Sequence, residues 1–105
     1  MIARIWKGRT LAADGDRYLE YLHRTGVPDY RATPGNRGVF VLRRDTGGET
    51  EFLLLTLWDS LDAIRRFAGD DVTVARYYPE DRDFLLELEP HVTHYDVTAV
   101  DGLPL

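Results

Sequence analysis

Cysteine is absent from the 105 residues, so disulfides, thiolate metal ligands and thiol nucleophiles are excluded. Lysine is nearly absent too: Lys7 stands alone among thirteen basic residues, and the arginines are scattered singly or in pairs such as Arg43-Arg44 and Arg65-Arg66. A net charge of −5 without a basic stripe is poorly suited to phosphate contacts, which supply most non-specific nucleic-acid affinity, so DNA and RNA are discounted as partners. No apolar run approaches the roughly 20 residues of a membrane-spanning helix. The opening MIARIWKGRT is too interrupted by charge to read as a secretory signal, and the expected compartment is the cytoplasm. Internal repeats and low-complexity tracts are missing as well.

What the chain does contain is the mixture of a globular domain, with 44% hydrophobic and 30% charged residues. The length accommodates one core, so residues 1–105 are read as a single domain. A domain of this size hides only about two thirds of its unfolded surface, which makes a partner subunit a useful source of further burial.

Residues 2–7 alternate as a short strand that Gly8 is expected to end. From 14 to 24 the apolar residues Tyr18, Leu19 and Leu22 recur at helical spacing, with Asp14 as cap and Gly26 as stop. Residues 27–38, VPDYRATPGNRG, are dense in breakers and read as loop. A hairpin follows, with strands over 39–44 and 50–58 joined through Asp45-Thr46-Gly47-Gly48. Asp59-Ser60 then caps a helix carrying Leu61, Ile64, Phe67 and Ala68 on one face and ending at Gly69. Residues 70–80 are irregular, 81–89 read as a short helix, and the β-branched and aromatic run 91–100 reads as the last strand.

The order β-α-β-β-α-(α)-β is that of an α+β, ferredoxin-like domain with a four-stranded antiparallel sheet and helices on one face. The uncovered face of such a sheet is normally polar, giving alternation along each strand. Phe52-Leu53-Leu54-Leu55-Thr56-Leu57-Trp58 does not alternate, so both of its faces must leave water. A second copy packed sheet against sheet is the simplest cover, and a homodimer is expected.

The segments MIARIWKG, PGNRGVFVLRR, LLTLWDSLDAIRRFAG and HVTHYDV, in this order over most of the chain, resemble the antibiotic biosynthesis monooxygenase family of the dimeric α/β-barrel superfamily. The resemblance implies a pocket between sheet and helices in each protomer. It also implies one of two activities: cofactor-independent oxygenation of phenolic or anthrone-like intermediates, or oxidative cleavage of heme. Heme-degrading members use an Asn on the first strand, a Trp on the second helix and a His beyond it. Those positions hold Ile5, Phe67 and Tyr77 here, which argues against heme chemistry.

Oxygenation without a cofactor needs a base, a dry pocket and donors for the substrate anion. His94 sits in the last strand with a side chain that must enter either the helix-side pocket or the dimer interior, as base or as structural histidine. His91 reads as a rim residue and His23 as a cation near a helix C-terminus. Their H-x-x-H neighbour pattern, His91 and His94, does not chelate from a strand, because residues three apart face opposite ways, and no metal or other cofactor is expected. Trp58, Trp6, Tyr77, Tyr78 and Phe67 are large rings suited either to a pocket for a flat aromatic substrate or to simple packing. Arg4 shares a strand face with Ile2 and Trp6 and either binds a carboxylate or enolate or makes an intersubunit ion pair. Asp70-Asp71 and Glu80-Asp81 read as solvated surface. The expected function is a cofactor-independent monooxygenase of an aromatic or polyketide-type small molecule. The alternatives are a non-catalytic small-molecule-binding dimer or, less favoured, a heme-binding or heme-degrading protein.

Overall fold

Alternation in the first strand places Arg4, Trp6, Gly8 and Thr10 on one side of the backbone, and all four are buried. In the computed structural model, which describes residues 1–104, this strand β1 (Ile2–Leu11) is an inner strand of one four-stranded sheet. The order is β2-β3-β1-β4, with β2 (Asn36–Thr46), β3 (Glu49–Trp58) and β4 (Thr93–Asp96), and every pairing is antiparallel. This is the ferredoxin-like arrangement, and the helices α1 (Gly15–Arg24), α2 (Gly26–Ala32), α3 (Leu61–Ala68) and α4 (Asp81–Phe84) supply its second layer. Trp6, Phe52, Leu54 and Trp58 from the sheet pack with Tyr18, Tyr21, Leu22, Tyr30, Ile64 and Phe67 from the helices in one core.

The hairpin and α3 follow the expected chemistry. Gly47, at φ +65°, and Gly48 turn β2 into β3, the positive φ being a conformation that glycine adopts without a Cβ penalty. Ser60 caps α3, its Oγ accepting from the Ala63 N–H at 3.2 Å, and Gly69 ends it at φ +94°.

Besides β2, which runs over Asn36–Thr46 where a strand over 39–44 was expected, four boundaries differ from expectation, each for a local reason. First, β1 does not stop at Gly8 but continues to Leu11. A Cβ at residue 8 would lie 2.4 Å from Trp6 Cη2, so this glycine makes room for the indole and does not end the strand. Second, residues 26–32 are helical where a loop was expected. Thr25, at φ −119° and ψ −85°, breaks the chain between α1 and α2, and Pro28 is tolerated because it falls in the first turn, where N–H groups have no intrahelical partner. Third, the helix expected over 81–89 is a single turn, because Leu85 turns extended to bridge Thr10 and the Leu86 N–H bonds to the Arg9 carbonyl at 2.9 Å. Fourth, the last strand spans only Thr93–Asp96, since β1 offers partners from Ile5 to Ile2. Beyond it the Val97 N–H reaches the Met1 carbonyl and the ladder has no more strand to pair with.

The face away from the helices is apolar over one half, as the unbroken run in β3 requires, and charged over the other, where Lys7, Arg9, Arg44 and Glu51 stand. Ala3 and Ile5, Leu53, Leu55 and Leu57, Phe40 and Leu42, and Tyr95 meet by register across the four strands. In the single protomer Phe40, Leu42 and Tyr95 stand 41%, 47% and 58% exposed.

Candidate functional site

Arg4 on β1 and His94 on β4 are direct cross-strand partners, and both face the helices. Arg4 is only 1% exposed. Its Nη1 donates to the Tyr30 hydroxyl at 3.1 Å, and its guanidinium lies over the rings of Phe67 and Tyr30, at 5.4 and 5.9 Å from their centroids. No carboxylate pairs with it among the described residues. Among the described residues three buried side-chain polar atoms have no hydrogen-bond partner of good geometry, Arg4 Nε, Trp6 Nε1 and His94 Nε2, although the Trp6 N–H lies close enough to the Tyr77 hydroxyl to oppose the rise of its pKa. All three belong to the helix-facing side of β1 and β4, Trp6 two residues beyond Arg4 on the same strand face. Buried polar groups are nearly always satisfied, so a cluster of orphans on one face marks a place built for something else.

Burial holds the His94 imidazole below its ordinary pKa, and the Arg4 cation pushes it further down, so it is neutral at neutral pH. Burial also raises the Tyr30 hydroxyl, although Arg4 opposes that shift.

Aromatic rings wall the cluster. Phe67 stacks on Tyr30 at 4.3 Å, with Trp58 edge-on to Tyr30 at 6.2 Å, and Tyr77 lies edge-on to Trp6 at 6.3 Å. The fully buried Trp58 donates through Nε1 to Thr56 Oγ1 at 2.8 Å, so its polar edge is already used. Tyr78 offers no free hydroxyl either: it donates to Asp29 Oδ2 at 2.7 Å. Arg76 lies over the Phe67 and Tyr78 rings, and donates to the Phe67 carbonyl at 3.2 Å and to Asp29 at 3.4 Å. The irregular stretch 69–80 is thereby fastened over α2 and α3, with the Tyr77 hydroxyl donating to the Glu89 carbonyl at 2.5 Å at its other side.

Of the residues singled out from sequence, Arg4, His94, Trp6 and Phe67 converge, Tyr77 and Trp58 flank them, and Tyr78 stands at the outer latch. An intersubunit ion pair for Arg4 does not fit a side chain turned toward the helices. Ile5 points to the opposite, open face. His91 lies outside β4 and is exposed, and His23 is exposed on α1. Asp81 is not solvated surface: it is 4% exposed, accepts from the Tyr18 hydroxyl at 2.9 Å and the Tyr78 N–H at 2.5 Å, and burial raises its pKa. Tyr30, Asp29 and Arg76 escaped the sequence reading because the first two were placed in a loop. Thr25 followed by Pro28 within one turn was the available sign of a helix start. A groove of about 530 Å³ lies elsewhere, at the far end of the open face, lined by Lys7, Arg9, Leu42, Arg44, Leu53 and Glu87 among others.

A family model described as antibiotic biosynthesis monooxygenase matches residues 9–73, more than half of the chain. No curated protein matches. Among solved structures, a putative antibiotic biosynthesis monooxygenase from Bacillus cereus superposes with a TM-score of 0.68 at 14% identity, covering 97% of each chain. Rv0793 from Mycobacterium tuberculosis superposes at 0.60 and 19% identity, covering 97% of this chain and 100% of that one. MhuD from Mycobacterium tuberculosis, a heme-degrader solved with two hemes in its active site, superposes at 0.61 and 19% identity over the same shares. At these identities the likeness is one of fold.

Proposed function

The chain belongs to the antibiotic biosynthesis monooxygenase family, and on that premise we propose that it is a homodimeric, cofactor-independent monooxygenase of an electron-rich aromatic small molecule. The observation that carries this reading is the pairing of a half-buried, neutral imidazole with a buried, uncompensated guanidinium on one strand face, both with a free nitrogen. Neutral His94 takes a proton from a phenol or from the methylene of an anthrone. Arg4 and the Trp6 N–H hold the oxyanion that forms, in an interior where such interactions are strong. The anion gives electrons to dioxygen, and the resulting hydroperoxide loses water. In an anthrone a methylene and one dioxygen thus become a carbonyl and one water; in a phenol the O–H and a ring C–H, with one dioxygen, become a quinone and one water. Phe67, Tyr77 and Trp58 are the rings that a flat substrate meets beside Arg4, and because Arg4 and Trp58 are closed over in this structure, entry requires displacement of the stretch 69–80.

Heme cleavage is less well supported. The position corresponding to the family's Asn holds Ile5, on the open face, and its helix-facing neighbours Arg4 and Trp6 are not Asn either. The test is oxygen uptake with a panel of anthrones and quinols. Stoichiometric uptake that His94→Gln abolishes is the expected result. Ligand-induced thermal stabilisation without uptake would make the protein a binder, and a Soret band on adding hemin would restore the heme reading.

A further inference from the structure

The electrostatics of Arg4 go beyond the class of reaction to the charge of the ligand. A cation 1% exposed is tolerated when a carboxylate neutralises it, and among the described residues the Arg4 guanidinium has only the neutral Tyr30 hydroxyl as a hydrogen-bond partner. Tyr30 engages Nη1, which leaves the Nε–Nη2 edge of the fork without an acceptor among the described residues. That edge presents two parallel N–H groups, the geometry that grips two oxygens of one planar group. The aromatic floor formed by Phe67 and Tyr30 fixes the guanidinium plane but supplies no negative charge. The neighbouring His94, kept neutral, supplies none either.

We infer that the ligand of this site is a flat aromatic monoanion whose planar pair of oxygens, a carboxylate or an enolate flanked by a carbonyl, docks side-on against the Nε–Nη2 edge of Arg4. This rests on the proposed location of the substrate site but not on its chemistry. Tyr30 is then a positioning residue: by holding Nη1 it turns the free edge toward the ligand. The Trp6 N–H, beside the Tyr77 hydroxyl on the same face, is a further donor to that pair of oxygens when it turns from that hydroxyl.

Binding to the full-length protein, followed by tryptophan fluorescence and thermal shift, tests this without requiring turnover. The probes are 1-hydroxy-2-naphthoate against its neutral amide, and 2-hydroxy-1,4-naphthoquinone, anionic at neutral pH, against 1,4-naphthoquinone. The first pair reads a carboxylate and the second an enolate. At least one anion is expected to bind about tenfold or more tighter than its neutral counterpart. Arg4→Met combined with Tyr30→Phe, which removes the buried charge together with its hydroxyl partner, is expected to erase that preference while the melting temperature holds or rises. Equal affinity for charged and neutral probes, an anion preference that survives in the double variant, or no binding of any probe to the native protein would each overturn the inference. A double variant with a lowered melting temperature would overturn it too, because Arg4 would then be structural. Anion-selective binding without oxygen uptake from any substrate leaves this inference standing and removes the monooxygenase reading.

Discussion

At the scale of single residues, the behaviour of His94 follows from what surrounds it. Both burial and the Arg4 charge disfavour its protonated form, so its folded pKa lies below the ordinary value of about 6.5. If it is the base, the decline of kcat/KM with falling pH is displaced to lower pH than that of a free histidine. His94→Gln is expected to lower turnover by roughly 10²- to 10⁴-fold. Stability carries the same sign. Because the folded pKa is depressed, the contribution of neutral His94 is complete above the unfolded pKa and is lost as pH falls through the folded one. Melting temperature against pH, native beside His94→Gln, should therefore show a mildly acidic slope that the variant lacks. Arg4 and His94 were each legible as a polar residue in a strand segment, and that they share a face became definite only when the register was known. Tyr30 was not legible, since nothing local distinguishes a tyrosine in a breaker-rich stretch from one beneath a buried guanidinium.

Among the elements, those whose borders are written in short-range chemistry were readable, and those set by a distant partner were not. The Gly47-Gly48 turn and the Ser60 cap are local, and the hairpin turn and α3 fall where they were expected, although β2 begins earlier, at Asn36, and runs to Thr46. The ends of β4 and α4 depend on where β1 offers partners, which no local pattern states. Gly8 shows how a local sign misleads: a glycine read as a strand terminus is instead the space under Trp6. A methyl group there meets Trp6 Cη2 at 2.4 Å, Cζ2 at 2.9 Å and Leu85 Cδ2 at 3.0 Å, so the indole must leave its place. Gly8→Ala is expected to cost about 1–3 kcal/mol, the usual range for overpacking, and to shift the tryptophan emission. Urea unfolding followed by fluorescence measures both. An unchanged midpoint with unchanged emission would show that the Trp6 ring moves freely, and its role in the wall of the site would go with it. Ser60→Ala serves as the remote comparison, with an expected loss of about 1 kcal/mol and no spectral shift.

Over the whole molecule the governing fact is a sheet with one layer of helices and an extended apolar area on its other side. Soluble monomers rarely leave a contiguous apolar patch uncovered, and the open face joins Ile5, Leu53, Leu55, Phe40, Leu42 and Tyr95 across all four strands. The unbroken run in β3 announced this face from sequence alone, because no one-sided sheet calls for it. If the cover is a second copy, the native protein elutes with light-scattering mass twice the 12.1 kDa of the chain, and its melting temperature rises with concentration. Phe40→Glu with Leu42→Glu separates interface from fold. Both side chains already stand more than 40% exposed in the protomer, so the charges cost the isolated chain little, yet in a sheet-to-sheet interface they would be buried without partners. The variant should run at 12.1 kDa with a concentration-independent melting temperature. Because Arg4 and His94 face the other way, it should also keep its anion binding while it remains folded. A native protein that is already monomeric at micromolar concentration would sink the dimer and leave the apolar face in need of a different partner.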